Sequence, residues 1–263
     1  MMPTPILDRD AAQRLAALRA ANGRTRSARG MGLTWLWEWA KVFPAAVLLF
    51  LTLRAFLVEA YKIPTGSMER TLLVGDFLLV NKLVYGAEIP FSGKRLPGWR
   101  TPQRGDVIVF DWPVDPSKNF VKRLVGLPGD TLSMRGGVLL RNRVAQSERY
   151  VEHVEPNVDP VNDDFRWQRG FIVSTAVAAG TGPNASYRPS RNNWGPLVVP
   201  PQHMFVLGDN RDNSLDSRYW GFVPDSLLRG TPLLVYYSFT PDSTRPMAWL
   251  TAIRWSRLGS LVR

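Results

Sequence analysis

The distribution of hydrophobic residues separates one long apolar segment near the N-terminus from a series of shorter runs that follow it. Residues 42–58 have the sequence VFPAAVLLFLTLRAFLV and are apolar except for Thr52 and Arg54. The strictly uncharged stretch, residues 42–53, has a length at which a buried core helix competes with a membrane span. Three tryptophans and a basic segment precede the run, and Arg54 can extend towards lipid headgroups. These flanks favour a transmembrane helix over residues 42–60.

The runs after residue 60 are typical of β-strands. Apolar and β-branched residues bounded by Gly, Pro and polar positions predict strands. The segments concerned are residues 76–85, 106–110, 119–126, 203–207 and 231–239, together with a hairpin over residues 131–144 around Gly136 and Gly137. Residues 146–202 are rich in Asp, Asn, Pro and Gly and indicate a less regular β region. The chain is therefore predicted to be mostly β.

The composition excludes several kinds of chemistry. Because the chain has no cysteine, it has no disulfide framework, thiolate metal site or cysteine nucleophile. Its two histidines, His153 and His203, lack the spacing of a zinc site, so we expect neither a metal nor a cofactor. A Ser-His-Asp triad stays open at this point, but it would have to use one of these two histidines.

The formal net charge of +11 invites a nucleic-acid interpretation, but the distribution of the charge favours another. Residues 1–41 carry seven basic and three acidic side chains, and the excess beyond residue 60 is scattered. A basic segment that precedes a membrane span stays on the cytoplasmic side. We therefore predict that residues 1–41 are a basic cytoplasmic tail, that the chain after residue 60 lies on the opposite side, and that nucleic acid is not a partner.

Ser67 and Lys122 are the candidate catalytic residues. Ser67 lies in the sequence KIPTGSMER, two residues after Thr65, where free backbone N–H groups can hold an oxyanion; an ordinary polar turn has the same composition. Lys122 lies inside an apolar run. If it points inward, burial and a neighbouring cation such as Arg123 would lower its pKa and make it a general base. If it points outward, it is an ordinary strand lysine whose ammonium stays in water.

Two further segments are unusually polar or basic. Residues 208–218, GDNRDNSLDSR, lie between two predicted strands and favour a solvated loop or a calcium-binding loop, although the glycine and glutamate of an EF-hand are misplaced. Residues 241–263 form a basic amphipathic tail in which Trp249, Ile253 and Leu258 are interleaved with arginines. This tail either packs on the core or contacts anionic lipid.

The apolar segment and four motifs that follow it, in this order, resemble bacterial signal peptidase I, the membrane-bound leader peptidase. The motifs are IPTGSMERTLLVGDFLLVNKLVYG, GDVIVF, KNFVKRLVGLPGD and GDNRDNSLDSRYWGFVP. The resemblance covers residues 42–130 and 203–240, whereas residues 131–202 match only loosely. It implies an antiparallel-sheet catalytic domain formed by residues 61–130 and 203–240. Residues 131–202 would be an inserted β-rich subdomain, and one N-terminal transmembrane helix would tether the whole.

For the site, the resemblance implies a Ser-Lys dyad in which Ser67 is the nucleophile and neutral Lys122 accepts its proton. The Ser67 N–H and the Thr65 hydroxyl would form the oxyanion hole. The hydroxyl of Ser214 would orient the lysine amine. No histidine is needed in this scheme, because an amine kept neutral by burial can do the work of an imidazole.

The resemblance also implies a support for the loop, a substrate and a location. Asp216 and Arg218 would form a structural ion pair that supports the loop carrying them. The substrates would be signal peptides of exported preproteins, cleaved after an Ala-X-Ala-like sequence. The enzyme would cross the bacterial inner membrane once, with its catalytic domain on the outer face, so that the lipid bilayer is its second partner.

Two other functions fit parts of the sequence. A soluble Ser-Lys protease of the self-cleaving repressor class would use residues 1–41 on DNA, but the apolar segment disfavours this. A non-catalytic, membrane-tethered β-domain would bind signal peptides or anionic polymers through its outer positive charge. The presence of both Ser67 and Lys122 favours the enzyme, because a binding domain does not need a nucleophile beside an amine.

Overall fold

The computed structural model describes residues 9–89, 92–155, 157–172 and 187–262. The chain forms two compact units, one that ends at Leu53 and one that begins at Arg54. Residues 1–8 of the predicted cytoplasmic tail and residues 173–186 of the predicted insert lie outside the described residues.

The described part of the first unit, residues 9–53, belongs entirely to helix α1, which covers Arg9–Phe56. The prediction of a helix extending to residue 60 is wrong at its end, because Val58–Lys62 form a strand instead. The backbone of this strand pairs with a later one, with Val58 opposite Asn81 and Ala60 opposite Leu79. Across the described ranges, we find no helix with both the length and the apolar character that a bilayer crossing requires.

The described part of the second unit is built from eleven β-strands and two short α-helices. The strands are β1 (Val58–Lys62), β2 (Asp76–Asn81), β3 (Val107–Trp112), β4 (Asp115–Gly126), β5 (Thr131–Arg135), β6 (Val138–Arg141), β7 (Val144–Ala145), β8 (Trp194–Val198), β9 (His203–Leu207), β10 (Val223–Pro224) and β11 (Leu228–Ser238). The helices are α2 (Ser217–Trp220) and α3 (Ala248–Thr251). Short 3-10 helices cover Gly66–Met68, Leu83–Tyr85, Asp163–Phe171, Asp225–Leu227 and Trp255–Arg257.

The described strands form two antiparallel sheets. The larger one has seven strands in the order β1-β2-β11-β3-β4-β9-β10, and the smaller has four in the order β7-β6-β5-β8. Strand β11 pairs with β2 on one side and with β3 on the other, so it joins the first two strands to the rest of the larger sheet. The prediction of a mostly β fold with antiparallel sheets is therefore confirmed.

Several predicted elements differ in their ends. The strand predicted over residues 76–85 ends at Asn81, because Lys82 adopts helical angles and Leu83–Tyr85 form a 3-10 helix. The strand predicted to start at residue 119 begins earlier, at Asp115. The predicted hairpin is present as β5 and β6, and both glycines of its turn have positive φ, which suits residues without a Cβ.

The core lies in three clusters of buried residues, one of which supports the turn that carries Ser67. This cluster contains Met68 and Leu72 from the turn region and Leu78, Val80 and Val235 from strands β2 and β11. Full burial of a side chain of this size stabilises the fold by about 1.5–3 kcal/mol. The burial of Met68 and Leu72 therefore anchors the Ser67 turn to the core.

The C-terminal segment packs on the larger sheet. Ile253 bridges to Phe239, and Leu261 bridges to Leu234 on β11. Arg257 places its guanidinium 2.5 Å from the carboxylate of Asp76, which is fully buried at the start of β2. Of the two alternatives for the basic tail, packing on the core is the one observed for these residues.

Candidate active site

Ser67 lies in a short 3-10 turn that follows β1. The turn covers Gly66–Met68, and the Ser67 side chain is only 8% exposed. The backbone carbonyl of Ser67 accepts a hydrogen bond from the N–H of Asn210 at 3.2 Å, which ties the turn to the loop after β9. Thr65, the residue before the turn, is exposed. Ser67 is thus held at the base of a surface cleft, with the Thr65 hydroxyl at its edge.

Lys122 points inward from β4. Its backbone lies opposite Ile108 on β3, and its side chain is 2% exposed. The amine Nζ is 2.6 Å from Ser67 Oγ and 3.2 Å from the carbonyl oxygen of Val121. It also lies 5.3 Å from the centre of the Phe120 ring. Of the two orientations that the sequence left open, the structure therefore shows the inward one.

The surroundings of Lys122 favour its neutral form. Burial lowers its pKa from 10.5 to about 8, because an ammonium loses its hydration there. The carboxylates of Asp216 and Asp209 act in the opposite direction, and the charge of Arg218 lowers the pKa further. A substantial fraction of Lys122 is therefore neutral near physiological pH, as a general base requires.

Arg123, which the sequence suggested as the cation beside Lys122, has a different position. Its guanidinium binds the buried Asp209 carboxylate, with Nε–Oδ1 and Nη2–Oδ2 distances of 2.8 and 2.6 Å. Asp209 also accepts a 2.5 Å hydrogen bond from the Thr71 hydroxyl. The pair thereby connects β4, the segment after Ser67 and the loop after β9, and Arg218 is the cation that lowers the lysine pKa.

Asp216 and Arg218 form a buried ion pair in that loop. Both side chains are 0% exposed, and two hydrogen bonds of 2.8 Å join the Arg218 Nε and Nη2 to the carboxylate. Burial alone would raise the pKa of Asp216, but the charge and hydrogen bonds of Arg218 outweigh it and hold the pKa below its usual value. Asp216 also accepts from the Gly208 N–H at 3.1 Å, so the pair fixes the path of the loop.

Ser214 reaches the site without touching the lysine. Its Oγ is buried and has no hydrogen-bond partner among the described residues. Gly208 separates it from the nucleophile: a Cβ at this position would lie 2.2 Å from Ser214 Oγ and 2.5 Å from the Ser67 carbonyl oxygen. The predicted contact between Ser214 and Lys122 is not made in this structure.

Ser67 and Lys122 open into a cleft of about 350 Å³. Its walls are mostly apolar and come from the end of β1, the Ser67 turn and β4; they include Ile63, Pro64, Thr65, Met68, Phe120 and Val121. Leu78 and Val80, on the neighbouring strand β2, are in the core instead, and Phe77 packs against Tyr237.

Neither histidine contacts the candidate nucleophile within the described ranges. His153 Nδ1 lies 3.1 Å from Asp212, and His203 Nδ1 lies 2.8 Å from the carbonyl oxygen of Pro201. Among the described residues, no group of His, Asp and Glu side chains has an arrangement that would hold a metal ion. The arrangement at Ser67 is thus a hydroxyl paired with an amine, which suits nucleophilic attack on an amide or ester carbonyl.

Comparison with known proteins identifies the family. The family model described as "Signal peptidase, peptidase S26" matches residues 36–237. A signal peptidase I of Pseudomonas fluorescens is 39% identical over 213 residues, which cover 77% of this chain and 72% of that protein. The signal peptidase I of Pseudomonas aeruginosa is 37% identical, covering 78% and 73%, and that of Aquifex aeolicus is 34% identical, covering 79% and 88%.

A crystal structure of a signal peptidase I from Enterococcus faecalis is 31% identical, covering 50% of this chain and 97% of that one, with a TM-score of 0.33. Because a TM-score of 0.33 is too low to support a fold assignment, the description of the fold rests on the strands of this chain alone. The family match, by contrast, extends over most of the sequence and includes both Ser67 and Lys122. The chain therefore belongs to the signal peptidase family, peptidase S26.

Proposed function

We propose that this chain is a serine endopeptidase that removes signal peptides from exported preproteins, with Ser67 as the nucleophile and neutral Lys122 as the general base. The observation that carries the proposal is the 2.6 Å distance between Lys122 Nζ and Ser67 Oγ in a buried setting. A neutral amine at this distance can accept the hydroxyl proton as the oxygen attacks. No other residue type is needed to activate the serine.

The reaction would proceed in two steps. Lys122 takes the Ser67 proton while Oγ forms a bond to the scissile carbonyl carbon, and the Ser67 N–H and Thr65 hydroxyl stabilise the oxyanion. The resulting ammonium then gives its proton to the leaving amine as the carbon–nitrogen bond breaks, which leaves an acyl-enzyme. Neutral Lys122 next removes a proton from water as the water oxygen attacks the ester carbonyl, and the ammonium returns this proton to Ser67 Oγ as the carbon–oxygen bond of the ester breaks. This step releases the product with its new C-terminal carboxyl group and restores both Ser67 and neutral Lys122.

The cleft supports a preference for small residues before the scissile bond. Its walls beside Ser67 are formed by the aliphatic side chains of Ile63, Met68 and Val121. Such walls favour small apolar side chains such as alanine over charged ones. Together with the family resemblance, they support cleavage after an Ala-X-Ala-like sequence.

The buried loop would hold the dyad in place. We assign Asp216 and Arg218 the role of fixing the loop that contacts the Ser67 carbonyl. Residues 61–130 and 203–240 would together form the catalytic core, since they supply every residue of the site. Residues 131–202 would be an insert in this core.

We further propose that the enzyme acts at the bacterial inner membrane, with residues 1–41 cytoplasmic and the catalytic domain on the outer face. The support is the set of large apolar side chains that α1 exposes, among them Trp35, Trp39, Phe43, Leu48 and Phe50, each at least half exposed. Apolar surface of this extent favours a lipid environment over water.

Two experiments test this location and orientation. Alkaline extraction of cell membranes should leave the chain in the pellet. Protease added to spheroplasts should digest the second unit, and a protected second unit would contradict this orientation.

Cleavage of a preprotein by the purified chain in detergent tests the activity. Ser67→Ala and Lys122→Met should each reduce kcat/KM by about a thousandfold or more, because either change removes one member of the proton-transfer pair. Lys94→Met, which changes an exposed loop lysine, is the matched control and should cleave like the wild type. Full activity of Lys122→Met would rule out the lysine base, and binding of preprotein without any cleavage would favour a non-catalytic β-domain.

A further inference from the structure

A second cavity of about 390 Å³ adjoins the catalytic cleft. Tyr61 on β1 and Asn119 on β4 line both spaces, so the second cavity lies next to the cleft at these two residues. We call it the accessory cavity. Its other walls come from β1, the segment after β2, and strands β3, β4 and β11. They consist of Glu59, Lys82, Gly86, Glu88, Arg95, Asp111, Pro116, Leu228 and Arg229.

The charges of the accessory cavity balance one another. Glu59 pairs with Lys82 at 3.2 Å. The guanidinium of Arg229 binds the buried Asp111 carboxylate, with Nε at 2.8 Å from Oδ1, and also contacts Glu88. Three carboxylates and, with Arg95, three cations therefore face the same space.

Arg95 is the cation with the fewest acidic contacts. It forms no ion pair within the described part of the chain, and its Nη2 donates to the carbonyl oxygen of Ser226 at 2.6 Å. Burial and the charge of Arg229 lower its pKa, whereas the charges of Glu88 and Asp111 raise it. The cavity thus presents both hydrogen-bond donors and acceptors with no excess of either charge.

These features determine which side chain the cavity would accept. A charged side chain of either sign would lose much of its hydration on entry, and the three like-charged wall groups would offset the attraction of the three opposite ones. A neutral amide or hydroxyl loses less on desolvation, and it can donate to the carboxylates and accept from the guanidinium groups. We propose that the accessory cavity is a substrate subsite that takes a polar, uncharged side chain of the preprotein beyond the residues held in the catalytic cleft.

This subsite rests on the proposed peptidase function and on the adjacency of the two spaces. An extended peptide advances about 3.3 Å per residue, so a chain lying in the cleft passes Tyr61 and Asn119 within a few residues of the scissile bond. Burial and then the charge of Glu59 raise the pKa of Tyr61, so its hydroxyl stays protonated at the junction. A substrate backbone that leaves the cleft on this side therefore meets a polar wall.

A peptide series tests the subsite. The peptides share the same small residues before the cleavage site and carry Gln, Lys or Glu in turn at each position outside them. With the wild type we expect one position at which Gln exceeds both Lys and Glu in kcat/KM by about tenfold, the effect of one like-charge contact in a partly buried site. Equal rates for the three residues at every position would overturn the proposal.

Two variants make the test reciprocal. Arg95→Gln leaves the wall with excess negative charge and should raise the Lys-to-Gln ratio of kcat/KM about tenfold, while Glu88→Gln should raise the Glu-to-Gln ratio by the same factor. Arg245→Gln, an exposed change in the tail, should alter neither ratio. Ratios that stay the same in both cavity variants would overturn the subsite alone. No cleavage of any peptide by the wild type would instead overturn the peptidase function.

Discussion

The pH dependence of cleavage is the sharpest consequence of the site geometry. Lys122 acts as a base only in its neutral form, so kcat/KM should rise with pH as the amine loses its proton. Burial is the main reason that this happens near pH 8 rather than at the ordinary value of 10.5. The buried carboxylates of Asp209 and Asp216 limit the shift, and Arg218 adds to it. This prediction is therefore tested by varying the pH with the wild-type protein.

The size of the effect follows from the pKa of about 8. Near pH 7 about a tenth of Lys122 is neutral, compared with roughly 0.03% for a lysine of ordinary pKa, a gain of about 300-fold in the active form. Raising the pH from about 7 to about 9 should then increase kcat/KM roughly tenfold, with a plateau above. The rise of kcat/KM with pH should fit the titration of a single group.

The assay is the initial rate of preprotein cleavage in detergent at low substrate concentration, measured across the pH range on protein whose fold is checked by circular dichroism at each pH. A substrate whose residues near the cleavage site do not titrate removes the obvious alternative source of a pH effect. A profile that is flat from about pH 6 to pH 10, or one that falls as pH rises through 8, would refute the assignment of Lys122 as the base. A rise centred near 10 would refute the role of burial.

The remaining predictions concern the support of the site. Gly208→Ala places a Cβ 2.2 Å from Ser214 Oγ and should lower kcat about a hundredfold by displacing the site, whereas Gly170→Ala meets nothing within 4 Å and should leave kcat unchanged in the same assay. Arg218→Met leaves a buried carboxylate unpaired and should lower the free energy of unfolding by about 3–5 kcal/mol in denaturant titrations. Because the unfolded chain binds the Lys122 proton more tightly than the folded one between about pH 8 and 10.5, the free energy of unfolding should rise by about 3 kcal/mol over that window, and Lys122→Met should lack this rise.

Each of these has an outcome that contradicts it. Equal kcat for Gly208→Ala and Gly170→Ala would show that the close approach at Gly208 does not position Ser67. An unfolding free energy of Arg218→Met within about 1 kcal/mol of the wild type would show that the buried pair does not hold the loop. A pH-dependent rise that persists in Lys122→Met would assign it to other groups.

Local sequence pattern was sufficient to predict β2, β3, β4, β9, β11 and the hairpin of β5 and β6, because strand formation and glycine turns depend on neighbouring residues. It did not predict β1, β8 or β10. It was not sufficient for the orientation of Lys122. A period-2 pattern gives two faces but does not say which is buried, and β4 is irregular between Leu124 and Gly126 where it pairs with β9. The orientation is set by β3 and by the Ser67 turn, which is 55 positions away. The resemblance to a known family supplied what the pattern could not.

The end of the predicted membrane helix shows a similar limit. The apolar run ends at Val58 and is followed by Glu59 and Ala60, and local hydropathy cannot distinguish the last turn of a helix from the first residues of a strand. Pairing with β2, whose position depends on the Ser67 turn, makes the difference. The sequence does not predict the accessory cavity for the same reason, since the walls of the cavity come from five separate stretches between Glu59 and Arg229. The residues next to Arg95 and Asp111 in the sequence do not indicate that these two side chains line the same cavity.

The place of β11 in the larger sheet has a consequence for when the sheet can be completed. Ser67 follows β1, and Lys122 lies on β4, on opposite sides of β11 in the strand order. The two arms of the sheet are joined through this strand, which is formed by Leu228–Ser238, long after both residues have left the ribosome. The larger sheet can therefore be completed only after Leu228–Ser238 has been translated, when both Ser67 and Lys122 have long been part of the nascent chain.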